Sequence, residues 1–267
     1  MNQDQVKTTL LAIEDAPLDF TLVFSGKQSK KINGLYKPET REIIIHNQNF
    51  QTDNLLLYTA IHEYAHHLHA CARGGTLSTR AHTAEFWAIL HRLLEKAEAQ
   101  GVYQNVFTGS PELAELTETI RTRYLCENGN LVKDLGKHLL KAQELCLSIG
   151  GRFEDYLDRI LRIPRTASTM AIKMYQYNLN PAVGPDNMRF LAGIRNEDER
   201  INAEAALLKG KSPDMVRVET RHGTPGSTSE EQEDPKLRLE KEKKRLERTI
   251  ASLSKRLGEV ERELEQC

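Results

Sequence analysis

The spacing of hydrophobic residues changes twice along this chain. In the first fifty positions it suits a short helix followed by strands. Phe20–Phe24, Lys31–Tyr36 and Arg41–His46 are β-rich runs, and the last is the clearest strand pattern in the protein. Lys37-Pro38-Glu39-Thr40 carries turn chemistry, because proline presets its own backbone angle. A hairpin from Ile32 to His46 is the simplest arrangement.

From Asp53 the period becomes helical. Asp53 is placed to cap a helix running to Arg73, with Leu57, Ile61, Tyr64, Ala65 and Leu68 as its apolar stripe. Gly74-Gly75 should end it. After Thr76–Thr79 the spacing predicts a second helix, Ala81–Ala99, burying Phe86, Leu90, Leu93 and Ala97. Ser110-Pro111-Glu112 is a strong helix start after a connector, and that helix should stop near Glu127-Asn128-Gly129. The pattern then stays helical, with short breaks, from Leu131 to Leu208.

The second change comes after this helical stretch. His222–Pro235 is polar, rich in Gly, Ser, Thr and Pro, and aperiodic, which is linker composition. Beyond it, Leu239, Lys243, Leu246, Ile250, Leu253, Leu257, Val260 and Leu264 alternate by four and three, the seam of a coiled coil. Four regions follow: residues 1–105 with the strands, an all-α module over 110–215, a linker over 216–235 and a coiled-coil helix over 236–267. The fold class expected is α+β.

Composition adds exclusions. The formal net charge is -1, so bulk charge calls for no polyanionic partner. No run approaches the 18 apolar residues of a membrane span, and the first twenty residues lack the makings of a secretory signal. The four cysteines, Cys71, Cys126, Cys146 and Cys267, form no C-x-x-C pair. They read as reduced thiols of a cytoplasmic protein without a membrane partner.

The chemistry concentrates in His62-Glu63-Tyr64-Ala65-His66. Residues four apart share a helix face, so His62 and His66 can offer two imidazoles to one metal ion. Glu63 lies beside them, within reach of a water at that metal. Two neutral nitrogens suit Zn2+, and the carboxylate suits a general base in peptide hydrolysis. A catalytic zinc takes three protein ligands, and two candidates for the third follow the Gly-Gly break: His82 and, one turn on, Glu85. With His82 at the start of the second helix, His91 lies nine residues on and faces the opposite way, which excludes it from the same metal. His67 points away from the ligand face, His69 shares it and suits a supporting role, and His46 reads as structural.

Three segments, INGLYKPETREIIIH, LLLYTAIHEYAHHL and AHTAEFWAILHRL, together resemble the SprT-like and closely related small zinc metallopeptidases over Ile32–Leu94. The resemblance implies a zincin-like domain in which a strand precedes the H-E-x-x-H helix. It also implies that the third ligand is His82, followed by Phe86 and Trp87. The chain departs from that pattern at Thr83, where those families carry glycine, and it lacks the cysteine zinc ribbon many of them have. The ImmA/IrrE-like peptidases share the helix and the strand. The implied activity is cleavage of protein or peptide substrates, with the substrate adding as a strand near Arg41–His46.

A second resemblance lies in the helical module. Arg152–Leu161, a turn at Pro164 and Thr166–Tyr177 resemble the helix-turn-helix of plasmid and phage proteins. It implies Thr166 as a cap and Arg165, Thr166, Ser168, Thr169 and Lys173 as DNA contacts, with Arg159 and Arg162 on phosphates. Residues 133–182 hold eight Lys/Arg against five Asp/Glu, only a mild basic excess for that purpose. Three readings therefore stand: a zinc peptidase, a DNA-binding regulator of a mobile element with an associated or degenerate peptidase domain, or a scaffold whose metal site is structural or degenerate. The heptad tail adds a homo-oligomer to the expected partners.

Overall fold

The computed structural model describes residues 1–74 and 81–223, together with Lys243 and Glu247. The expected turn at Gly75–Thr79, most of the linker and the heptad seam lie outside the described residues. The chain divides into two units, Met1–Thr220 and Arg221–Cys267. The first is mixed α+β: mostly helical, with one small sheet.

Helix α1 (Gln3–Ile13) opens the chain under a capping box, in which Asn2 and Gln5 each bond the other's backbone N–H. Strands β1 (Thr21–Phe24), β2 (Gly34–Lys37) and β3 (Glu42–Ile45) form a sheet of order β1-β3-β2. β2 and β3 make the expected hairpin, with Leu35 opposite Ile44. β1 runs parallel to β3 on its other side. This corrects the expectation that a substrate strand adds near Arg41–His46. β3 is the central strand, and its backbone groups are already used on both sides. The edge strands are β1 and β2.

Helix α2 (Asp53–Ala72) crosses the sheet. Its cap is Thr52, whose hydroxyl accepts from the Leu55 N–H, while Asp53 sits in the first turn and takes the N-terminal ammonium at 2.6 Å. The expected one-sided stripe is too narrow. From Leu56 to Ala70 nearly every residue is buried, because sheet, α1 and the next helix enclose α2 on several sides. Gly74, at φ +67°, ends it. Helix α3 (Ala84–Ala99) starts three residues later than its pattern suggested and buries the expected Phe86, Leu90, Leu93 and Ala97.

The module that follows has its own cores, one around Met174, Met188 and Leu191 and one around Leu139, Leu157 and Ala171. Helix α4 (Pro111–Thr119) passes through a wider π-helical stretch, Ile120–Cys126, into α5 (Glu127–Ser148). The expected stop near Gly129 is absent. A side chain there would lie 3.0 Å from Met188 Sδ and the Pro181 carbonyl, so Gly129 serves close packing rather than termination. After α6 (Phe153–Asp155) and a π-helical turn, Arg162 takes a left-handed backbone and α7 (Arg165–Gln176) begins, with Pro164 at the N-cap position, no side-chain cap, and Thr166 inside the first turn rather than capping it. Helices α8 (Pro185–Gly193), α9 (Glu197–Leu208) and α10 (Pro213–Gly223) follow, and α10, with Val216 buried in the module's core, occupies the first residues of the expected linker over 216–235. No described helix is long and apolar enough to cross a membrane.

Candidate metal centre

α2 carries His62 and His66 one turn apart, as the motif required. The segment entering α3 brings His82 to them. One nitrogen from each of the three rings lies within 4.8 Å of the others, a grouping that can hold a metal ion. The Nε2 atoms of His62 and His82 are 3.2 Å apart. Phe86 packs face to face on the His66 ring at 4.2 Å, and Trp87 stacks on His82 at 5.4 Å. Aromatic side chains thus flank two of the three rings, His66 buried and His82 exposed.

The donor set fits a cation. Burial, and then repulsion from His82, pull the His62 pKa down to about 4. Burial, and then repulsion from His62 and His82, pull that of His66 to about 3. Both rings are neutral at pH 7, with lone pairs available. His66 is buried, and its Nδ1 has no hydrogen-bond partner. A buried nitrogen without a partner is costly, which makes this ring a poor purely structural choice.

His82 reaches the cluster from outside the helix. Thr83 is the N-cap of α3, its hydroxyl accepting from the Phe86 N–H, so His82 stands just before the helix. The departure from the glycine of the resembling families therefore has a local use. Thr83 Oγ1 also lies 3.4 Å from Nε2 of His69, a residue only 2% exposed. His69 thus supports the segment that carries His82. The exclusion of His91 rested on both residues being helical and needs a different reason. His91 is not in the triad, and its Nδ1 pairs with Ser212 Oγ at 2.5 Å. Glu85 is outside the triad too, and its charge acts on His69. His67 is a core residue between the Tyr36 hydroxyl, 3.1 Å from its Nδ1, and the Leu18 carbonyl, 2.9 Å from its Nε2. His46 pairs with Ser25 through Nδ1 at 2.9 Å.

Glu63 is 7% exposed beside the triad. Burial pushes its carboxyl up to about 7, partly offset because it accepts a hydrogen bond from the Tyr36 backbone N–H. That donor belongs to β2. Asn33 O accepts from His46 N at 2.9 Å, so the alternate N–H groups, at Gly34 and Tyr36, face away from β3. Gly34 touches Glu63 as well: a Cβ there would lie 2.9 Å from Glu63 Cγ and 3.0 Å from Oε1. Neither contact was foreseen from the sequence, although a glycine inside a strand is itself a sign of close approach.

The five residues proposed for DNA contact are not presented together. Ser168 is 1% exposed and bonds the Pro164 carbonyl, so it is withdrawn as a groove contact; it lies on the stripe Ser168, Ala171, Met174 that faces the module's core. Arg165 is held by Asp158 in a two-pronged ion pair. Thr169 bonds its own helix at the Arg165 carbonyl, Thr166 is exposed and Lys173 is half-buried. Compared with protein-family models, curated proteins and solved structures, the chain finds no match.

Proposed function

We propose that the chain is a zinc-dependent metallopeptidase of the SprT-like kind, with His62, His66 and His82 as ligands and Glu63 as general base. The observation carrying this reading is the convergence of three imidazoles beside a buried carboxylate that is itself not a ligand. A structural zinc site would fill its fourth position with another protein donor. Among the described residues no fourth ligand joins the triad.

When bound, zinc supplies Lewis acidity, making water acidic enough to ionise near pH ~7 and polarising a peptide carbonyl. Glu63 takes a proton from the attacking water. As the oxygen adds to the carbonyl carbon and the C–N bond breaks, Glu63 delivers that proton to the leaving amine. The Tyr36 N–H holds one face of the carboxylate so that it does not rotate away. An extended peptide would add as a strand along β2, an edge strand of the sheet, in place of the β3 edge first expected.

The test is metal analysis together with cleavage of an unfolded protein substrate. Wild type should hold about one zinc per chain. Glu63→Gln should keep the metal and lose cleavage, His82→Ala should lose both, and Glu85→Ala should keep both. Cleavage unchanged in Glu63→Gln would sink the proposal, and metal lost only in Glu85→Ala would reassign the third ligand.

A further inference from the structure

Among the described residues, nothing covers one face of α5. The adjoining face is packed: Gly129, Gly136, Leu139 and Cys146 are buried, and Gly136 lies so close to α7 that a Cβ would sit 2.0 Å from the Ala171 carbonyl oxygen. Beside it, Leu131 is 69% exposed, Leu145 54% and Ile149 81%, with Leu135 also exposed. Their positions follow a heptad. Leu135, Ala142 and Ile149 fall at one core position, and Leu131, His138 and Leu145 at the other. A row of this kind on a 22-residue helix, about 33 Å long, is a pairing seam.

The charges select the partner. Only one flank of the seam is free, because the other is turned into the module. The free flank carries Asp134 and, one heptad later, Lys141. Both are exposed, and they bond only short-range neighbours, Asp134 with His138 at 3.5 Å and Lys141 with Glu144 at 3.1 Å. In an antiparallel pair the same flanks of two helices meet. Two copies of α5 then place Asp134 of each against Lys141 of the other, twice by symmetry. The same register puts Leu131 opposite Ala142 and Leu135 opposite His138, pairing the two core positions as antiparallel helices require. A parallel pair would turn the free flank towards the buried one and leave these charges unmatched.

We propose that this face of α5 is a self-association surface, on which a second copy of the chain docks its own α5 in antiparallel orientation. The interface is isologous, so it closes as a dimer. It does not depend on the peptidase reading and is separate from the heptad tail.

Sedimentation of the full-length chain tests it. Wild type should be dimeric at roughly 100 μM, where an interface of micromolar affinity is saturated. Asp134→Lys and Lys141→Asp should each weaken association at least about tenfold, since each sets like charges together twice. The double exchange Asp134→Lys/Lys141→Asp should restore it, which a general loss of folding would not. Leu131→Cys/Ala142→Cys should crosslink between chains under oxidation, while neither single variant does. A monomeric wild type overturns the proposal. So does an association constant that these charge variants leave unchanged while Leu246→Asp/Leu253→Asp in the tail abolishes it.

Discussion

The contact that matters most at the residue scale involves a missing side chain. Gly34 lets the β2 backbone lie against Glu63, and the Tyr36 N–H from the same strand bonds that carboxylate. In Gly34→Ala the new methyl group and Glu63 cannot both keep their places, and Thr59 closes the other side at 2.9 Å. Glu63 should move by a few tenths of an ångström or more. Misplacing a reacting group by about 1 Å can cost on the order of 10²-fold in rate. The expected result is cleavage reduced by roughly ten- to a hundredfold with zinc content unchanged, read by kcat and metal analysis on the same preparation. Thr83 makes the complementary case. Removing its hydroxyl in Thr83→Ala takes away a helix cap, about 1 kcal/mol, and the contact with His69 behind the ligand segment. Zinc affinity, measured by competition with a chelator, should fall about 10- to 100-fold, as it does when a ligand loses its supporting shell. Thr83→Ser should retain it.

Elements show why the sequence was readable in some places and not in others. α3 was legible because it is packed on one face, so its period and its buried residues coincide. α2 was legible as a helix but not in its burial, because it is enclosed on several sides: its polar His67 is held by the Leu18 carbonyl far along the chain, and His69 is buried with Nε2 near Thr83 and its Nδ1 unpaired. The strands could be found, but not their order, since alternation within a strand says nothing about which neighbours it has. Gly129 and Gly136 look alike in sequence to a helix stop; only the nearness of Pro181 and Ala171 shows them to be contact points. Gly136→Ala sets two effects against each other. Alanine favours a helix interior by about 1 kcal/mol over glycine. The clash with the Ala171 carbonyl is with backbone, which cannot swing away, and should cost more than that gain. A lower melting temperature is therefore expected, and a higher one would show that α5 and α7 can separate freely. α1 and α3 are tied differently, through Glu14 with Lys96 at 2.7 Å and Arg92 at 2.6 Å. Partial burial alone would raise the Glu14 pKa, but the hydrogen bonds and charges of Lys96 and Arg92 outweigh it, and the net shift is downward. A carboxylate with a depressed folded pKa stabilises above its unfolded value of 4.5 and loses that contribution as pH falls through the folded value. Glu14→Gln should accordingly be less stable than wild type at pH 7, and the difference should close in acid below 4.5. Denaturant titrations of both proteins across pH would read it, and a gap that widened in acid would be the wrong sign.

For the molecule as a whole, the triad joins two parts of the chain, since His62 and His66 belong to α2 and His82 to the segment entering α3. An ion held by all three binds the folded state alone and must stabilise it. At a free metal concentration 100 times the dissociation constant, the gain is about 2.7 kcal/mol. For a folded unit of this size each kcal/mol moves the melting temperature by about 2–4 °C, so adding a chelator should lower it by roughly 5–11 °C. The variants divide this effect into binding and chemistry. His82→Ala should melt at the same temperature with and without chelator, because it removes one of the three donors. Glu63→Gln should keep the full chelator response while cleaving nothing, because its carboxylate is not among the donors. If instead wild type ignores the chelator while Glu63→Gln still abolishes cleavage, Glu63 acts without a metal, and the three imidazoles must be explained as an aromatic-packed cluster beside it.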